Sequence, residues 1–378
     1  MGDDADRPFS MVPSDPQGAP ADQASISVQM RGDLSPRENQ NGFSLQPYRK
    51  SDREEVFAFL KSVYTQANSD RLIRQWDWKY DGNPFQCSAD PYLLLLRKES
   101  RLIGMMGTFP LRFSVQGKRC WAACACDLII QPSYRQQGLS RRVIKQYHSD
   151  HPVTCAWLNK ISDRAAATLT ISHCIQVGLL IKPLWPNFLP RKILGIRLPY
   201  GQKIGAEVII EQLANVDHRF DALWERVGQG DFVMGVRDQA YLKWRFFDRP
   251  DATYTLFTAT RNSNLVGYLI FRIVKKRGFR LGYLVDFLVE PKAFSILLLL
   301  VREATKSLRQ EGAMAIICLT THPSFQHLFR QQGFHPLFLL PKAYFRLRTI
   351  VPESGGEVVH DPHHCYLTFS DGDLEMGF

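Results

Sequence analysis

The sequence predicts a mixed α/β protein made of two tandem domains, each a mixed, mostly antiparallel sheet flanked by helices. Three observations predict it. Apolar runs of strand length alternate with segments of helical periodicity along the whole chain. Leu128–Ile130 reads as a buried strand, stopped by Pro132. It feeds a turn with Gly138 and a helix whose apolar positions Leu139, Val143, Ile144 and Tyr147 recur at helical spacing. Finally, four landmarks recur in the same order at offsets of 155 to 166 residues. Trp78-Lys79-Tyr80-x-x-x-Pro84 returns as Trp244-Arg245-Phe246-x-x-x-Pro250. Asp127 to Pro132 returns as Asp286 to Pro291, Gly178-Leu179 as Gly333-Phe334, and the opening Phe43–Tyr48 with Asp52 as Val208–Leu213 with Asp217. So long a period means domain duplication, since solenoid repeats are shorter.

The elements follow in order. Residues 1–42 carry seven acidic and three basic residues and almost no aromatics, the composition of a disordered tail. They hold no apolar core that would make a secretory signal. A strand at Phe43–Tyr48 leads to a helix over about 52–64, its apolar face built from Val56, Phe57, Leu60 and Val63. Trp76-x-Trp78 with Asn83-Pro84 reads as a helix end and loop. Strands follow at 92–97 and 102–113, hinged at Glu99-Ser100. Cys120–Ile130 is the central strand, 138–148 the helix after the glycine turn, and Val153–Leu158 the next strand. A helix is then expected to run to Gly178, and Pro183, Pro186 and Pro190 lead into a connector at 191–206. The second half repeats the order and ends in a strand near 344–351. Residues 351–378 read as an acidic C-terminal tail in which Tyr366–Phe369 offers an edge strand.

Composition narrows the function. The chain of 378 residues has net charge +10, which leaves +14 on residues 43–378. That balance suits a polyanionic ligand. No nucleic-acid-binding motif appears, and Lys275-Lys276-Arg277 reads as a hairpin turn before Gly278, so no nucleic-acid partner is expected. The longest apolar run, Ile296–Val301, is too short to span a bilayer, and no transmembrane segment is expected. Eight cysteines without CxxC spacing argue against disulfides and fit a reducing cytoplasm. Cys120, Cys124 and Cys126 read as a small-residue core strand, and His363-His364-Cys365 lacks spaced partners. No metal is expected.

The strand–turn–helix at 127–142 carries the chemistry. A glycine turn at a helix N-terminus directs free N–H groups and the positive end of the helix dipole to one point, and Arg135, Arg141 and Arg142 add full charges. That is a pyrophosphate cradle. It has neither Gly-x-x-x-x-Gly-Lys-Ser/Thr nor Gly-x-Gly-x-x-Gly. Arg135-x-x-Gly138-x-Ser140 resembles the acyl-CoA loop of the GNAT (N-acetyltransferase) superfamily, Arg/Gln-x-x-Gly-x-Gly/Ala, with Ser140 in place of the usual small apolar residue. The resemblance spans 43–200 clearly and 207–350 more weakly. It assigns 43–200 to an acyl-CoA-binding GNAT-like domain and 201–350 to a degenerate GNAT-like copy. Between Pro291 and Arg302 there is neither a glycine nor an arginine.

The resemblance implies a bacterial, CoA-dependent N-acyltransferase that uses acetyl-CoA or another acyl-CoA and an amine acceptor. An amino sugar of surface-polysaccharide synthesis is the first acceptor expected. It implies that Ile129, Ile130 and Gln131 hold the thioester and pantetheine arm, and that Arg135, Gln136, Gln137, Gly138, Leu139, Ser140 and Arg141 hold the pyrophosphate. Asn159 falls where the family often places an asparagine facing pantetheine. The family's usual tyrosine acid, four residues before the glycine that closes the next helix, is replaced by Cys174 in the first copy and Phe329 in the second. Cys174 is therefore a candidate acid, with packing on a helix face as its other reading. Asp127, His173 and Asp163 are candidate bases. Since Asp127 recurs as Asp286, a structural ion pair is its other reading. The duplicated Trp78-Lys79-Tyr80 reads as core packing first and acceptor recognition second. A non-catalytic acyl-CoA-binding or scaffold protein, and a transferase drawing on aminoacyl-tRNA, remain alternatives.

Overall fold

A computed structural model describes residues 37–38 and 42–374, except 87, 89, 116, 152, 159–172, 185–207, 231, 277, 338–342, 350–363 and 373. Inside the expected N-terminal tail, β1 (Arg37–Glu38) pairs with β2 (Phe43–Pro47). Helix α1 (Arg53–Val63) buries Val56, Phe59 and Leu60, spaced to share one face. Helix α2 (Gln66–Trp76) runs into a π-helical turn at Asp77–Asp81, which buries Trp78, Lys79 and Tyr80. Strands β3 (Leu93–Lys98), β4 (Arg101–Val115) and β5 (Lys118–Ile130) form an antiparallel meander. Helix α3 (Leu139–Asp150) returns the chain to β6 (Val153–Leu158), which pairs parallel with β5. Then come β7 (His173–Val177) and β8 (Leu179–Pro183).

The second half follows the same plan. It contains β9 (Val208–Leu213), α4 (Arg219–Val227), β10 (Val233–Gly235) and α5 (Gln239–Leu242), then a second π-helical turn at Lys243–Phe247. The meander β11 (Thr255–Arg261), β12 (Asn264–Lys276) and β13 (Phe279–Val289) follows, then α6 (Phe294–Gln310) and β14 (Ala315–Leu319), again parallel to its strand partner. Helix α7 (Pro323–Gln331), β15 (His335–Pro336), β16 (Ala343–Thr349) and β17 (Cys365–Tyr366) complete the chain.

Sheet membership crosses the expected boundary at residue 200 in both directions. The first sheet runs β1-β2-β3-β4-β5-β6-β16-β7, with β10 and β17 joined beside β4. The second runs β15-β8-β14-β13-β12-β11-β9. Strand β16 of the second half is thus inserted between β6 and β7, and β8 of the first half lies beside β14. This exchange accounts for a correction: the helix expected to end at Gly178 is a strand over 173–177. β16 offers that segment a full antiparallel edge, and a backbone that can pair along its length takes it.

The halves meet at the duplicated tryptophans. Trp78 and Trp244 stack at 5.2 Å with rings 20° apart. Trp78 Nε1 donates to the Trp244 carbonyl (2.7 Å), and Trp244 Nε1 to the Trp78 carbonyl (3.0 Å). Reciprocal bonds of this kind describe a local two-fold relation between the halves.

The expected C-terminal tail is corrected too. Residues 365–372 are buried in the centre of the molecule. Arg237, fully buried, donates from Nε to Asp286 (3.0 Å) and from Nη2 to Asp371 (2.6 Å). An isolated charge would not survive there. Two carboxylates and one guanidinium, further bonded to Thr368 and Ser370, can. The acidic composition of the segment is the signature of a buried ion network supplied from elsewhere in the chain.

Candidate functional site

The turn between β5 and α3 opens a helix N-terminus to the surface. Pro132–Tyr134 forms one 3₁₀ turn, Gln136 and Gly138 adopt positive φ (65° and 74°), and Gly138 caps α3. The left-handed Gly138 turns the chain so that the amides at the start of α3, which have no acceptor within the helix, face outward beside the positive dipole end. Residues 135–138 are exposed, and nothing lies within 4 Å of a Cβ placed on Gly138. Arg135 Nε donates to the Ile130 carbonyl (2.9 Å), which ties the loop to the strand end. Arg142 Nη1 donates to Phe43 (3.2 Å), which ties α3 to β2. Below, Leu139, Val143 and Tyr147 pack on Ala123 and Ile130.

The strand feeding this loop parts from its neighbour. β5 pairs with β6 only from Ala123 to Ala125. Beyond it, Leu128 is 37% exposed. Gln131 N–H turns to β4, bonding Ile103 (2.8 Å). By strand alternation the Ile130 amide faces the other way, toward the opening, as its carbonyl does in meeting Arg135. At the point of parting the β4–β5 ladder slips by one residue, and Asp127 takes φ 48°, a strained conformation for a residue with a side chain.

Asp127 is held from one side. Its Oδ2 accepts from Lys79 Nζ (2.7 Å) and Tyr80 OH (2.6 Å), both presented by the first π-helical turn. Its Oδ1 has no hydrogen-bond partner among the described residues, and the side chain is 18% exposed. Burial alone would raise its pKa. The Lys79 charge and the two hydrogen bonds outweigh it and hold the carboxyl below the usual value. Burial and the Asp127 charge push the Tyr80 phenol well up. Gly107 makes this approach possible, because a Cβ there would stand 2.0 Å from Tyr80 OH.

The second sheet repeats the frame with the opening closed. Its ladder slips by one residue beside Asp286, and β13 parts from β14 after Leu284. A glycine recurs as well: a Cβ on Gly104 would crowd the Ile129 carbonyl at 2.8 Å, and one on Gly267 the Leu288 carbonyl at 3.1 Å. Here, however, the C-terminal segment fills the gap. Thr321 N–H bonds Leu367 (3.2 Å), and Tyr366 OH donates to the Phe287 carbonyl. Phe287, which takes the place of Leu128, is 0% exposed. Both Asp286 oxygens are consumed, Oδ1 by Arg237, Thr368 and Ser370, and Oδ2 by Tyr268. Helix α6 starts four residues after Glu290, whereas α3 starts eight after Gln131, so no comparable glycine turn intervenes.

The structure brings together Asp127, Ile129, Ile130, Gln131 and the loop Arg135–Arg141. It places Cys174 elsewhere: an exposed residue on β7, opposite Arg346 of β16, and not on a helix face. Asn159 and Asp163 lie outside the described residues, as does the side chain of His173. Sequence reasoning assigned Lys79 and Tyr80 to packing first, whereas they clamp Asp127. It missed Arg71 of α2, whose charge helps lower the Asp127 pKa, and Tyr64, whose phenol burial and the Asp127 charge push up. No motif marks these two.

Residues 44–153 match the family profile of an acetyltransferase (GNAT) domain. No curated protein matches the chain. Among solved structures it is similar to a GCN5-related N-acetyltransferase from Anabaena variabilis, with 14% identity over 81% of this chain and 72% of that one and a TM-score of 0.55. It is also similar to N-myristoyltransferase from Saccharomyces cerevisiae with bound myristoyl-CoA, at 14% identity over 85% and 88% and TM-score 0.52. A third is a protein from Enterococcus faecalis described as a probable N-acyltransferase, at 11% identity over 82% and 73% and TM-score 0.56. At these identities the structural likeness is one of fold. Profile and fold agree: residues 44–153 match the acetyltransferase (GNAT) domain profile, and the chain shares the mixed α/β fold of these acyltransferase structures.

Proposed function

We propose that the chain is a CoA-dependent N-acyltransferase with one acyl-CoA site, formed by its first half. One observation carries the reading: the open end of β5 lines up an anion-binding loop, an outward-facing strand amide and a half-free carboxylate within fifteen residues, from Asp127 to Arg141. The loop amides and Arg135 hold the pyrophosphate. The Ile130 amide, with its neighbours Ile129 and Gln131, receives the pantetheine arm and the thioester carbonyl, whose oxyanion it stabilises. The second half, its gap filled from within, is a degenerate copy that completes the sheet and frames the acceptor.

Asp127 is the base. Lys79 and Tyr80 keep it ionised, so its free Oδ1 attracts the acceptor's ammonium. The ammonium gives its first proton to solvent water, and the neutral amine attacks the thioester carbonyl. The new C–N bond makes its nitrogen strongly acidic, and even a carboxylate of low pKa takes that proton. Collapse breaks the C–S bond and releases the thiolate, which takes a proton from water. The acyl group is an acetyl or longer chain, and an amino sugar is the first acceptor to test.

The competing reading is an acyl-CoA-binding protein without catalysis. Thiol release from acetyl-CoA in the presence of amines separates the two. D127N is expected to lose at least about 10²-fold in kcat, the usual scale of an acid–base step, with CoA affinity held within a fewfold. Wild-type rates in D127N would remove Asp127 from the mechanism. CoA binding with no amine-dependent thiol release would favour the competing reading.

A further inference from the structure

Arg71 lies on α2, near the reacting end of β5, and takes no part in the roles assigned above. Its Nε is shielded from water and has no hydrogen-bond partner among the described residues. A buried donor is costly unless an acceptor meets it, so this guanidinium has donor capacity that an anionic group could satisfy. Its surroundings say which ligand. Its charge reaches both Asp127 and the phenol of Tyr64, an exposed residue at the end of α1. Two cations act on Asp127, Lys79 and Arg71, and a third, Arg135, acts on Tyr64. Lys79 is spent on Asp127 itself, and Arg135 is tied to the Ile130 carbonyl on the loop side. Arg71 is the charge left over beside Asp127.

We propose that Arg71 binds an acidic group on the acceptor, so that the substrate is an amine that also carries a carboxylate or phosphate. Asp127 takes the ammonium end and Arg71 the anionic end. A planar guanidinium matches either oxyanion through two parallel bonds. Both ends of a zwitterion are then neutralised, and the amine is fixed over the thioester.

This rests on the acyltransferase reading, and the test separates the two. Thiol release from acetyl-CoA is followed with two matched pairs, glucosamine 6-phosphate against glucosamine and L-phenylalanine against 2-phenylethylamine. The acidic member of at least one pair is expected to have a kcat/KM at least tenfold higher than its neutral twin, and the pair that responds tells phosphate from carboxylate. R71Q should erase that preference through the acceptor's KM, with the KM for acetyl-CoA moved less than twofold. R71K, which keeps the charge and loses the fork, should retain part of it. Transfer to the neutral members alone, a preference that survives R71Q, or an R71Q effect confined to the KM of acetyl-CoA would each overturn the inference while sparing the acyltransferase reading. No release with any of the four amines would overturn both.

Discussion

Replacing Arg237 by methionine tests whether the last residues of the chain are core. The side chain is fully buried and makes five hydrogen bonds: to Asp286, to the Gly235 carbonyl, to Thr368, to Ser370 and to Asp371. Methionine fills much of the volume but leaves Asp286 and Asp371 as two buried carboxylates with no cation between them. Breaking a buried ion pair from one side costs about 3–5 kcal/mol, mostly because the orphaned charge remains. At about 2 °C per kcal/mol for a chain of this size, the melting temperature should fall by about 6–10 °C. Burial already pushes the Asp371 carboxyl up against the pull of Arg237. Without Arg237 it should take up a proton more readily, so the deficit should shrink on mild acidification. The assay is differential scanning calorimetry at two pH values, paired with limited proteolysis of the C-terminal segment. D371N on the R237M background should recover part of the loss, because it removes one orphaned charge. A melting temperature within 2 °C of wild type and an uncleaved C-terminus would refute the argument that this network holds the segment.

Two further outcomes follow from single residues. Gly138→Asp puts a negative charge into the loop, with open space around the new Cβ and only a left-handed φ to bear. It should abolish measurable CoA binding and cost about 1 kcal/mol of stability, while calorimetric titration of wild type gives one site per chain. Undiminished affinity would mean the loop is not the phosphate site. His151 has both ring nitrogens buried and without a hydrogen-bond partner among the described residues, and burial, with the neighbouring His148, lowers its pKa from 6.5 to about 4. A depressed folded-state value means stability is complete above pH 6.5 and lost as pH falls toward 4, by about 2 kcal/mol between pH 7 and 4.5. Chemical denaturation of H151L should show a shallower acid loss than wild type, and equal slopes would count against it.

The loop was legible because every part of it is local: a strand stop at Pro132, a glycine that alone bears φ 74° comfortably, and a helix whose apolar spacing declares its buried face. The two meanders and their following helices were legible for the same reason. What escaped was set by distant partners. Nothing around His173–Val177 announces a strand until β16 arrives from 170 residues downstream. Asp371 reads as a solvated tail residue until Arg237 is placed against it. Lys79 and Tyr80 looked like packing because their motif is duplicated; in the copy Arg245 donates instead to the Phe369 and Gly372 carbonyls, and Phe246 is core. The π-helical turn turns both first-half side chains onto Asp127, where Gly107 leaves room. Asp127 and Asp286 share one sequence context but not one environment, and only the environment distinguishes a half-free carboxylate from a consumed one.

Strand exchange also explains why a second half without a phosphate loop is indispensable to the first. β16 pairs with β6 from Val153 to Leu158 and with β7 from His173 to Val177, so its removal would strip two strands of their ladder next to the strand that parts from β5. In return, β8 closes the edge of β14. Neither half, cut near residue 200, owns a complete sheet. Each would expose an apolar, hydrogen-bonding edge where its partner's strand belongs, the condition that drives aggregation. Residues 1–200 expressed alone should therefore be insoluble or molten. Co-expression with 201–378 as a separate chain should restore a soluble, one-to-one complex that binds one CoA. A monomeric 1–200 fragment with a cooperative melt and full CoA affinity would show that the exchange is incidental to the site.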